Sequence, residues 1–289
     1  MSARGLRRWL HDGPLGCFEM YEWVPEPASQ LCGVVERIWH WDGSPAESRE
    51  RVFPDVTLEL VVQLDRAYRP VVDGKAGEAF PLVCIEGLRG GAATIEAPRG
   101  RCRVLGLRFT PPAVCALLRR PLGDVAGRTI DLHDAIGQSA RELSDRCGDA
   151  ADAPSRIAVA ARWVAARMTA AEPDPLARWC TESIVASGGR VRVEALADAT
   201  GLSSARLARR FVTHVGMTPK RFARLARFRR SLDALTAGAS IRDVVYEGGY
   251  YDQPHFNAEF GEHTGLSPTA FLRASKFPQG TSLSEAAPR

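Results

Sequence analysis

The chain of 289 residues is predicted to be an α+β protein of two domains, an antiparallel β domain followed by an all-α domain. Three observations predict this fold class. Apolar residues alternate with a period of two between residues 51 and 109, as in half-buried strands. The apolar spacing becomes helical after residue 109. Finally, the segment 201–222 returns as the segment 249–271, which indicates a duplicated helical unit.

Composition limits the class of protein. With 45% hydrophobic and 25% charged residues, the chain resembles an ordinary soluble protein. No apolar run reaches the roughly 18 residues that a transmembrane helix needs, and no apolar segment typical of a signal peptide follows the N-terminal arginines. We therefore expect a cytoplasmic protein with no membrane contact. The seven cysteines are scattered without a CxxC pair, so we expect reduced thiols, no metal site and no cofactor.

The first domain is predicted to be an antiparallel sheet or small barrel with trailing helices. Its strand signals are at 57–64, 80–85 and 101–109, separated by Gly- and Pro-containing turns. Helices are expected from Thr110 to about Arg120, over 134–147 and over 154–168. The run Ala171-Glu172-Pro173-Asp174-Pro175 is typical of a linker. The predicted divisions are a β-rich domain at 1–170, a linker at 171–177, a helical domain at 178–275 and a flexible tail at 276–289.

The duplicated unit has the spacing of a helix-turn-helix. Such a unit needs a small residue in its first helix, a glycine in the turn and an apolar anchor in the second helix. Five positions of the two copies correspond at a constant offset of 49, whereas the turn glycines are 48 apart, so the second turn is one residue longer. The small residue, glycine and anchor are Ala197, Gly201 and Leu207 in the first copy, and Val245, Gly249 and Phe256 in the second.

Charge indicates the partner of these units. Residues 1–177 carry 22 basic against 24 acidic residues, a net of −2, whereas residues 178–277 carry 15 against 9, a net of +6. A basic excess on the duplicated units favours a polyanion such as double-stranded DNA. A helix over 219–236 would be roughly 27 Å long, comparable to the roughly 34 Å between successive major grooves. Its polar side should present Lys220, Arg221, Arg224, Arg227 and Arg230 to solvent or phosphate.

Helix geometry selects the side chains that would contact DNA. In the first unit Arg209 is the residue able to pair with guanine in a bidentate manner, or else to bind a phosphate. In the second unit Gln253 and Asn257 could pair with adenine, while Glu259 and Glu262 would oppose phosphate. We therefore expect the second unit to contribute less affinity than the first. The predicted DNA-binding residues are Ser204, Ala205, Arg206, Ala208, Arg209, Lys220, Arg221, Gln253, Pro254, His255 and Asn257.

These residues resemble those of a known family. The run Leu196-Ala197 … Gly201-Leu202-Ser203 … Leu207 … Phe211 … Gly216 … Pro219, with its second copy through Gly265-Leu266-Ser267-Pro268, is similar to the AraC/XylS family of bacterial transcription regulators. The resemblance covers roughly 174–275. It implies a seven-helix domain that binds two adjacent major-groove segments and contacts RNA polymerase. The chain departs from the family at Ala258, Gly261, Glu262 and Phe271-Leu272, where basic residues or Tyr-Arg are usual.

The N-terminal part is similar to a sensor-type domain found before this DNA-binding domain in many such regulators. The resemblance is carried by Trp39-His40-Trp41-Asp42-Gly43, Phe53-Pro54-Asp55 and Leu105-Gly106-Leu107-Arg108-Phe109. It implies a cupin-like β domain, and from it we also expect a homodimer. A small-molecule effector would be bound by polar residues set among apolar ones, although half-exposed strands alternate in the same way. The candidate effector residues are His40, Glu59, Gln63 and Arg108.

Other classes of function are less well supported. The sequence has no HExxH, GxSxG or phosphate-binding loop, so we do not expect an enzyme. Methyl-transferring DNA repair regulators have a similar helical domain, but the four N-terminal cysteines lack the close pairs of their zinc site. A scaffold protein without DNA binding remains an alternative, favoured by Glu259 and Glu262. A thiol-based redox regulator is another, because Cys102 lies between Arg101 and Arg103.

Overall fold

The structure is a computed structural model, which describes residues 6–13, 16–45, 47–274 and 282–285. A β domain comes first, helices that pack on it follow, and a helical domain ends the described part of the chain. The strands are, in chain order, β1 (Leu6–Gly13), β2 (Gly16–Trp23), β3 (Val35–Gly43), β4 (Arg49–Val52), β5 (Leu58–Gln63), β6 (Arg69–Val72), β7 (Lys75–Ala76), β8 (Val83–Glu86), β9 (Ala93–Glu96), β10 (Cys102–Phe109), β11 (Thr129–Asp131) and β12 (Ser282–Glu285).

The strands form two antiparallel sheets. The larger sheet has the order β1-β2-β3-β10-β5-β8-β11, and the smaller has the order β12-β4-β9-β6-β7. The prediction of an antiparallel β domain is confirmed, but its closure into a barrel is wrong. Among the described strands no hydrogen-bonded pair joins the two sheets, and the end strands β1 and β11 of the larger sheet are each paired on one side only. Strand β12 falls within the predicted flexible tail, the remainder of which lies outside the described residues.

The two faces of the larger sheet differ in chemistry. On one face Leu107 of β10 lies opposite Ile38 of β3 and Leu60 of β5, and all three side chains are fully buried. The next register position places Arg108 opposite Glu59 on the other face. Because side chains alternate along a strand, one face is apolar and packs under a helix, and the other face carries the Arg108–Glu59 pair. Gly106 is required opposite Trp39, since a Cβ there would lie 2.2 Å from the indole.

Four α-helices and a short 3-10 helix (Leu122–Asp124) follow or flank the last strands of the β domain in the described chain. The helix predicted after Thr110 is confirmed and ends at Leu118, and the helix predicted over 154–168 is confirmed. The single helix predicted over 134–147 is wrong, because Gly137 has a φ of +60° and divides it in two. The four helices are α1 (Pro111–Leu118), α2 (Leu132–Ile136), α3 (Gln138–Asp149) and α4 (Ala153–Met168).

The helical domain begins within the predicted linker 171–177, so that boundary is wrong: Asp174 caps the first helix, which starts at Pro175. The helix predicted between the two repeated units is confirmed as Pro219–Thr236, with 18 residues. None of the helices in the described ranges is long and apolar enough to cross a membrane. The helices are α5 (Pro175–Ala186), α6 (Val193–Thr200), α7 (Ser204–Val215), α8 (Pro219–Thr236), α9 (Ile241–Gly248), α10 (Gln253–Thr264) and α11 (Pro268–Ala274).

The two repeated units have the same internal packing. Phe211 and Phe222 of the first unit contact edge to face, with ring centroids 5.6 Å apart and planes at 66°. The corresponding pair of the second unit, Phe260 and Phe271, has centroids 5.5 Å apart and planes at 70°. Equal spacing in sequence therefore gives equal aromatic packing.

Candidate nucleic-acid interface

The second helix of the first unit is α7, and its N-terminal half is accessible. The predicted cap Ser203 accepts a hydrogen bond from the Arg206 backbone N–H at 3.4 Å, which fixes where the helix starts. Leu207 of this helix is fully buried, so the opposite side of α7 faces solvent. The exposed side carries Ser204, Ala205, Arg206 and Arg209, with Ala208 partly exposed.

Two of the arginines on α7 remain available to a ligand. Arg206 and Arg209 are exposed, and neither forms an ion pair with any residue that the structure describes. Arg210 differs, because its guanidinium binds the carboxylate of Asp174 in the linker, with NH2 2.5 Å from Oδ2. Arg210 is exposed as well, but this ion pair already occupies its guanidinium. Arg209 remains the candidate for base contact on this helix.

The second recognition helix, α10, has a similar accessible half but a different charge. Its cap Asp252 accepts from the His255 backbone N–H at 2.8 Å. The exposed residues are Gln253, Pro254, His255, Asn257 and Ala258, as the sequence predicts for this face. Helix α10 contains no lysine or arginine. Amide groups are thus its strongest candidates for base contact.

Glu259 does not face a phosphate backbone, and that interpretation is wrong. Its side chain is 2% exposed and lies between two arginines of α8. Arg227 donates through Nε and NH2 at 3.0 and 2.7 Å, and Arg224 donates through Nε at 3.1 Å. Burial acts to raise the pKa of Glu259, but the two arginines outweigh it and hold that pKa below its usual value. The carboxylate is therefore ionised and internally neutralised.

The basic row of α8 is only partly available to phosphate. Lys220 and Arg221, the two predicted contacts, are exposed at the start of the helix, and neither has an ion-pair partner in the described chain. Arg224 and Arg227 are held by Glu259, and Arg224 also by Glu262 at 2.5 Å. The prediction that the whole row faces solvent or phosphate is thus wrong for these two, because acidic residues of α10 neutralise them.

A cleft brings predicted residues of both units together. It has a volume of about 530 Å³ and lies between the start of α6, the first half of α8 and the start of α10. Lys220 and His255 both line it. Both ring nitrogens of His255 have a neighbour within the protein, because Nδ1 accepts from the Tyr251 backbone N–H at 3.3 Å and Nε2 is 3.8 Å from Glu259.

Both repeated units contact the β domain. At the second unit, Phe53 packs edge to face on Phe271 with centroids 5.7 Å apart, and His263 Nδ1 lies 2.6 Å from the Gly90 carbonyl oxygen. At the first unit, Cys115 of α1 places its sulfur 3.4 Å from His214 Nδ1 at the end of α7. The exposed halves of α7 and α10 lie away from these contacts, so docking of the β domain leaves them uncovered.

The four candidate effector residues do not form one cluster. Arg108 binds Glu59 on the polar face of the larger sheet, with Nε 3.3 Å from Oε1. Gln63, also buried, binds the Pro81 carbonyl and the Tyr68 backbone N–H, so its amide holds a loop. His40 points to the opposite, helix-covered face, where its side chain is 2% exposed. Burial, with a smaller effect of Arg156, lowers the pKa of His40 to about 4.

The network around Arg108 includes a residue that was not among the candidates. Asp55 accepts from Arg108 NH1 at 3.0 Å, and Arg229 of α8 places NH1 3.4 Å from the same oxygen. Burial favours a raised pKa for Asp55, but the two arginines outweigh it and hold the pKa of this carboxyl below its usual value. The motif Phe53-Pro54-Asp55 drew attention to this residue in the sequence. It did not show that Arg108 and Arg229 would bind it.

Cys102 lacks the properties of a reactive thiol. Its side chain is fully buried, and burial raises its pKa to about 11. A thiolate is the reactive form, so a raised pKa does not favour the redox alternative. Within the described ranges no group of three His, Cys, Asp or Glu side chains is arranged to hold a metal ion.

Comparison with known proteins gives two family matches. Residues 196–274 match the model of a helix-turn-helix domain, and residues 24–131 match a domain of unknown function (DUF6597). No curated protein matches the chain.

Several solved structures are similar to parts of the chain. The C-terminal domain of the response regulator AraT from Geobacillus stearothermophilus is 21% identical over 35% of this chain and 85% of its own, with a TM-score of 0.33. A probable AraC family regulator from Rhodopseudomonas palustris is 25% identical over 35% and 96%, with a TM-score of 0.32. ToxT from Vibrio cholerae is 10% identical over 78% and 95%, with a TM-score of 0.46.

Proposed function

The C-terminal domain of this chain is a helix-turn-helix domain of the AraC type, and from that premise we propose that the protein is a transcription regulator that binds two adjacent major-groove segments of duplex DNA. One observation carries the proposal. Recognition helices α7 and α10 expose their N-terminal halves on equivalently packed units, joined by the 18-residue helix α8. The N-terminal residues of a recognition helix are the ones that contact base edges.

The test uses the full chain and duplexes selected from a random pool. We expect the selected duplexes to contain two sequence blocks about one helical turn apart. The affinity should fall with rising salt, because Lys220, Arg221 and the arginines of α7 displace counterions from phosphate. Replacing either block by unrelated sequence should weaken binding. Selection of no sequence, or affinity that is independent of salt, would contradict DNA binding; a single block would contradict only the use of two segments.

We also propose that a small molecule bound at the polar face of the larger sheet controls this activity. Support comes from a chain of buried polar contacts between that face and α8. Trp39 Nε1 donates to Glu59 at 2.7 Å, and Glu59 binds Arg108. Arg108 in turn shares the Asp55 carboxylate with Arg229 of α8. A ligand that displaced Glu59 would change what holds Arg108 and, through Asp55, the linking helix.

Control by covering the DNA-binding surface is not the mechanism we propose. The exposed halves of α7 and α10 are open while both units contact the β domain. The β domain instead holds each unit separately, at His214 for the first and His263 for the second. A ligand that shifts one contact would change the spacing of the two recognition helices. This mechanism requires a differential affinity of the ligand for the two arrangements.

The effector is sought by thermal melts of the full chain with a library of small molecules. A genuine effector should raise the melting temperature and change affinity for the selected duplex. Asp55→Asn should retain the thermal shift and lose most of the effect on DNA. If Asp55→Asn responds to the ligand like the wild type, this route of coupling is wrong.

RNA polymerase and a second copy of the chain are the other proposed partners, on the basis of the family resemblance. Transcription in vitro from a promoter carrying the selected duplex tests the first, and sedimentation at micromolar concentration tests the second. A non-DNA-binding scaffold is the competing interpretation. The neutralisation of Glu259 removes one of its two arguments, since that residue no longer opposes phosphate.

A further inference from the structure

Two tyrosines of the second unit are almost fully exposed. Tyr246 on α9 is 89% exposed, and Tyr251 in the turn before α10 is 91% exposed. No other large hydrophobic side chain in the described part of the chain exceeds 70%. Exposed tyrosine is enriched at recognition surfaces, since it combines a rigid apolar ring with a hydroxyl donor.

The longer turn of the second unit explains why Tyr251 is exposed. In the first unit the partly buried Leu202 is the only residue between Gly201 and the cap Ser203. The second unit has Tyr250 and Tyr251 between Gly249 and the cap Asp252. Tyr250 takes the inward place, 8% exposed, with its ring 4.9 Å from that of Phe256 and its hydroxyl 3.0 Å from Ser231 Oγ. The additional residue, Tyr251, is left outside.

Both tyrosines are placed where a helix-turn-helix meets the DNA backbone. Tyr251 directly precedes the cap of α10 and is two residues before Gln253, at the end of the helix that enters the groove. Tyr246 is on α9, the first helix of the unit, and that helix crosses the backbone in such motifs. The Tyr251 backbone N–H is also held, by His255 Nδ1 at 3.3 Å, which fixes the main chain of the turn.

The recognition helix of the second unit has few charged donors. Helix α10 has no lysine or arginine, and its only exposed ring nitrogen donor, His255, is turned to Glu259 at 3.8 Å. Arg224 and Arg227, beneath the helix, are neutralised by Glu259. Phosphate contacts in protein–DNA complexes are made by tyrosine hydroxyls as well as by cations. Neither lysine nor arginine is therefore among the exposed residues of α10 and of the turn before it, whereas the exposed cations Lys220 and Arg242 lie on α8 and α9.

We propose that Tyr246 and Tyr251 anchor the second unit to the DNA backbone through their hydroxyl groups, in place of the basic residues that hold the first unit. This inference rests on the proposed DNA binding. A neutral donor releases no counterion from phosphate. The contacts of the two hydroxyl groups therefore contribute affinity that is almost independent of salt, whereas exposed lysine and arginine side chains contribute the salt-dependent part.

The experiment measures affinity of the full chain for the selected duplex at several salt concentrations. Tyr246→Phe and Tyr251→Phe each remove one hydroxyl and keep the ring, so each should weaken binding by about two- to tenfold without changing the salt slope. Arg242→Ala is the matched control, since Arg242 is an exposed cation on the same helix as Tyr246. That variant should reduce the slope by about 0.9, the value for one phosphate contact. Ethylation interference should lose one phosphate position in each tyrosine variant.

The outcomes separate this inference from the proposed function. If the wild type selects no duplex, the proposed function fails. If the wild type binds and both phenylalanine variants bind equally well, with unchanged interference, the inference fails while DNA binding stands. If the variants bind normally but lose transcription with RNA polymerase, the tyrosines face a protein and the inference is overturned. Circular dichroism melts of the variants should match the wild type, because neither hydroxyl has a partner in the described chain.

Discussion

Glu259 of the second recognition helix and Arg227 of the linking helix form a two-point ion pair, with Oε1–Nε and Oε2–NH2 distances of 3.0 and 2.7 Å. The carboxylate of the pair is buried, since the Glu259 side chain is only 2% exposed. It joins two helices that also meet through Phe228 and Phe260. The angle of α10 on α8 thus depends on a charge that does not face DNA.

The first prediction follows from this pair. Glu259→Gln should lower the free energy of unfolding by about 3 kcal/mol, because it leaves Arg227 and Arg224 without a buried counterion. Glu262→Gln is the control; Glu262 is 62% exposed, so its pair with Arg224 should be worth less than about 1 kcal/mol. Urea unfolding of both variants measures the difference. Equal effects of the two substitutions would show that the buried pair stabilises the fold no more than the exposed pair does.

The second prediction ranks the two units. Arg209→Ala should cost about 1–3 kcal/mol in binding to the selected duplex and relax specificity at one base. Asn257→Ala should cost less, since a neutral amide loses no charge-assisted bond. Because Glu259 is neutralised, it no longer lowers the affinity of the second unit for DNA. The ranking of the two units by affinity depends on the difference between Arg209 and Asn257 and on the exposed carboxylate of Glu262. Arg141→Ala, an exposed arginine on α3, is the control and should bind normally. A larger loss for Asn257→Ala reverses the ranking.

Local sequence signals predicted the helical domain well. Caps, turn glycines and apolar anchors act within a few residues, and Ser203, Gly201 and Leu207 occupy the predicted places. The burial of Glu259 was also within reach, because it follows Phe256 by three residues and so falls on the buried side of α10. The pattern did not identify the partners of Glu259, because Arg227 and Arg224 lie 32 and 35 residues earlier in the chain.

Contacts between domains were beyond the reach of the sequence pattern. Asp55 and Arg229 lie on different domains, and no period or motif joins them. The open sheets were missed for a related reason. Alternation predicts strands, but whether the end strands of a sheet pair with each other depends on tilt and register across the whole domain. His40 was misplaced as a pocket residue because alternation alone does not say which face helices cover.

The third prediction concerns the domain contact. Asp55→Asn should loosen the β domain from α8, because Asp233 is then the one ion-pair partner left to Arg229 among the described residues. Arg229 NH2 lies 2.5 Å from Asp233 Oδ1. We expect a loss of about 1–3 kcal/mol of stability and faster hydrogen exchange in the second half of α8. Asp65→Asn is the control, because Asp65 binds Arg103 within the β domain. If both variants leave α8 exchange unchanged, the Asp55–Arg229 contact does not hold the domains together.

The fourth prediction is a dependence of stability on pH that originates at His40. Burial lowers its folded-state pKa to about 4 from the usual 6.5, and both ring nitrogens are buried without a hydrogen-bond partner among the described residues. The unfolded chain therefore takes up this proton before the folded chain does. Stability due to neutral His40 is complete above about pH 6.5 and declines as the pH falls towards 4. With 1.36 kcal/mol per unit, the loss by pH 4 is about 3 kcal/mol.

The measurement compares the wild type with His40→Leu, which fills the site with an apolar side chain. Carboxylates titrate in the same range, so the useful quantity is the difference in unfolding free energy between the two proteins, obtained from urea melts at several pH values. That difference should shift by about 3 kcal/mol in favour of the variant between pH 7 and pH 4. His263, whose pKa burial also lowers, is present in both proteins and cancels. A difference that stays constant over this range would mean that His40 is not held neutral in the folded protein.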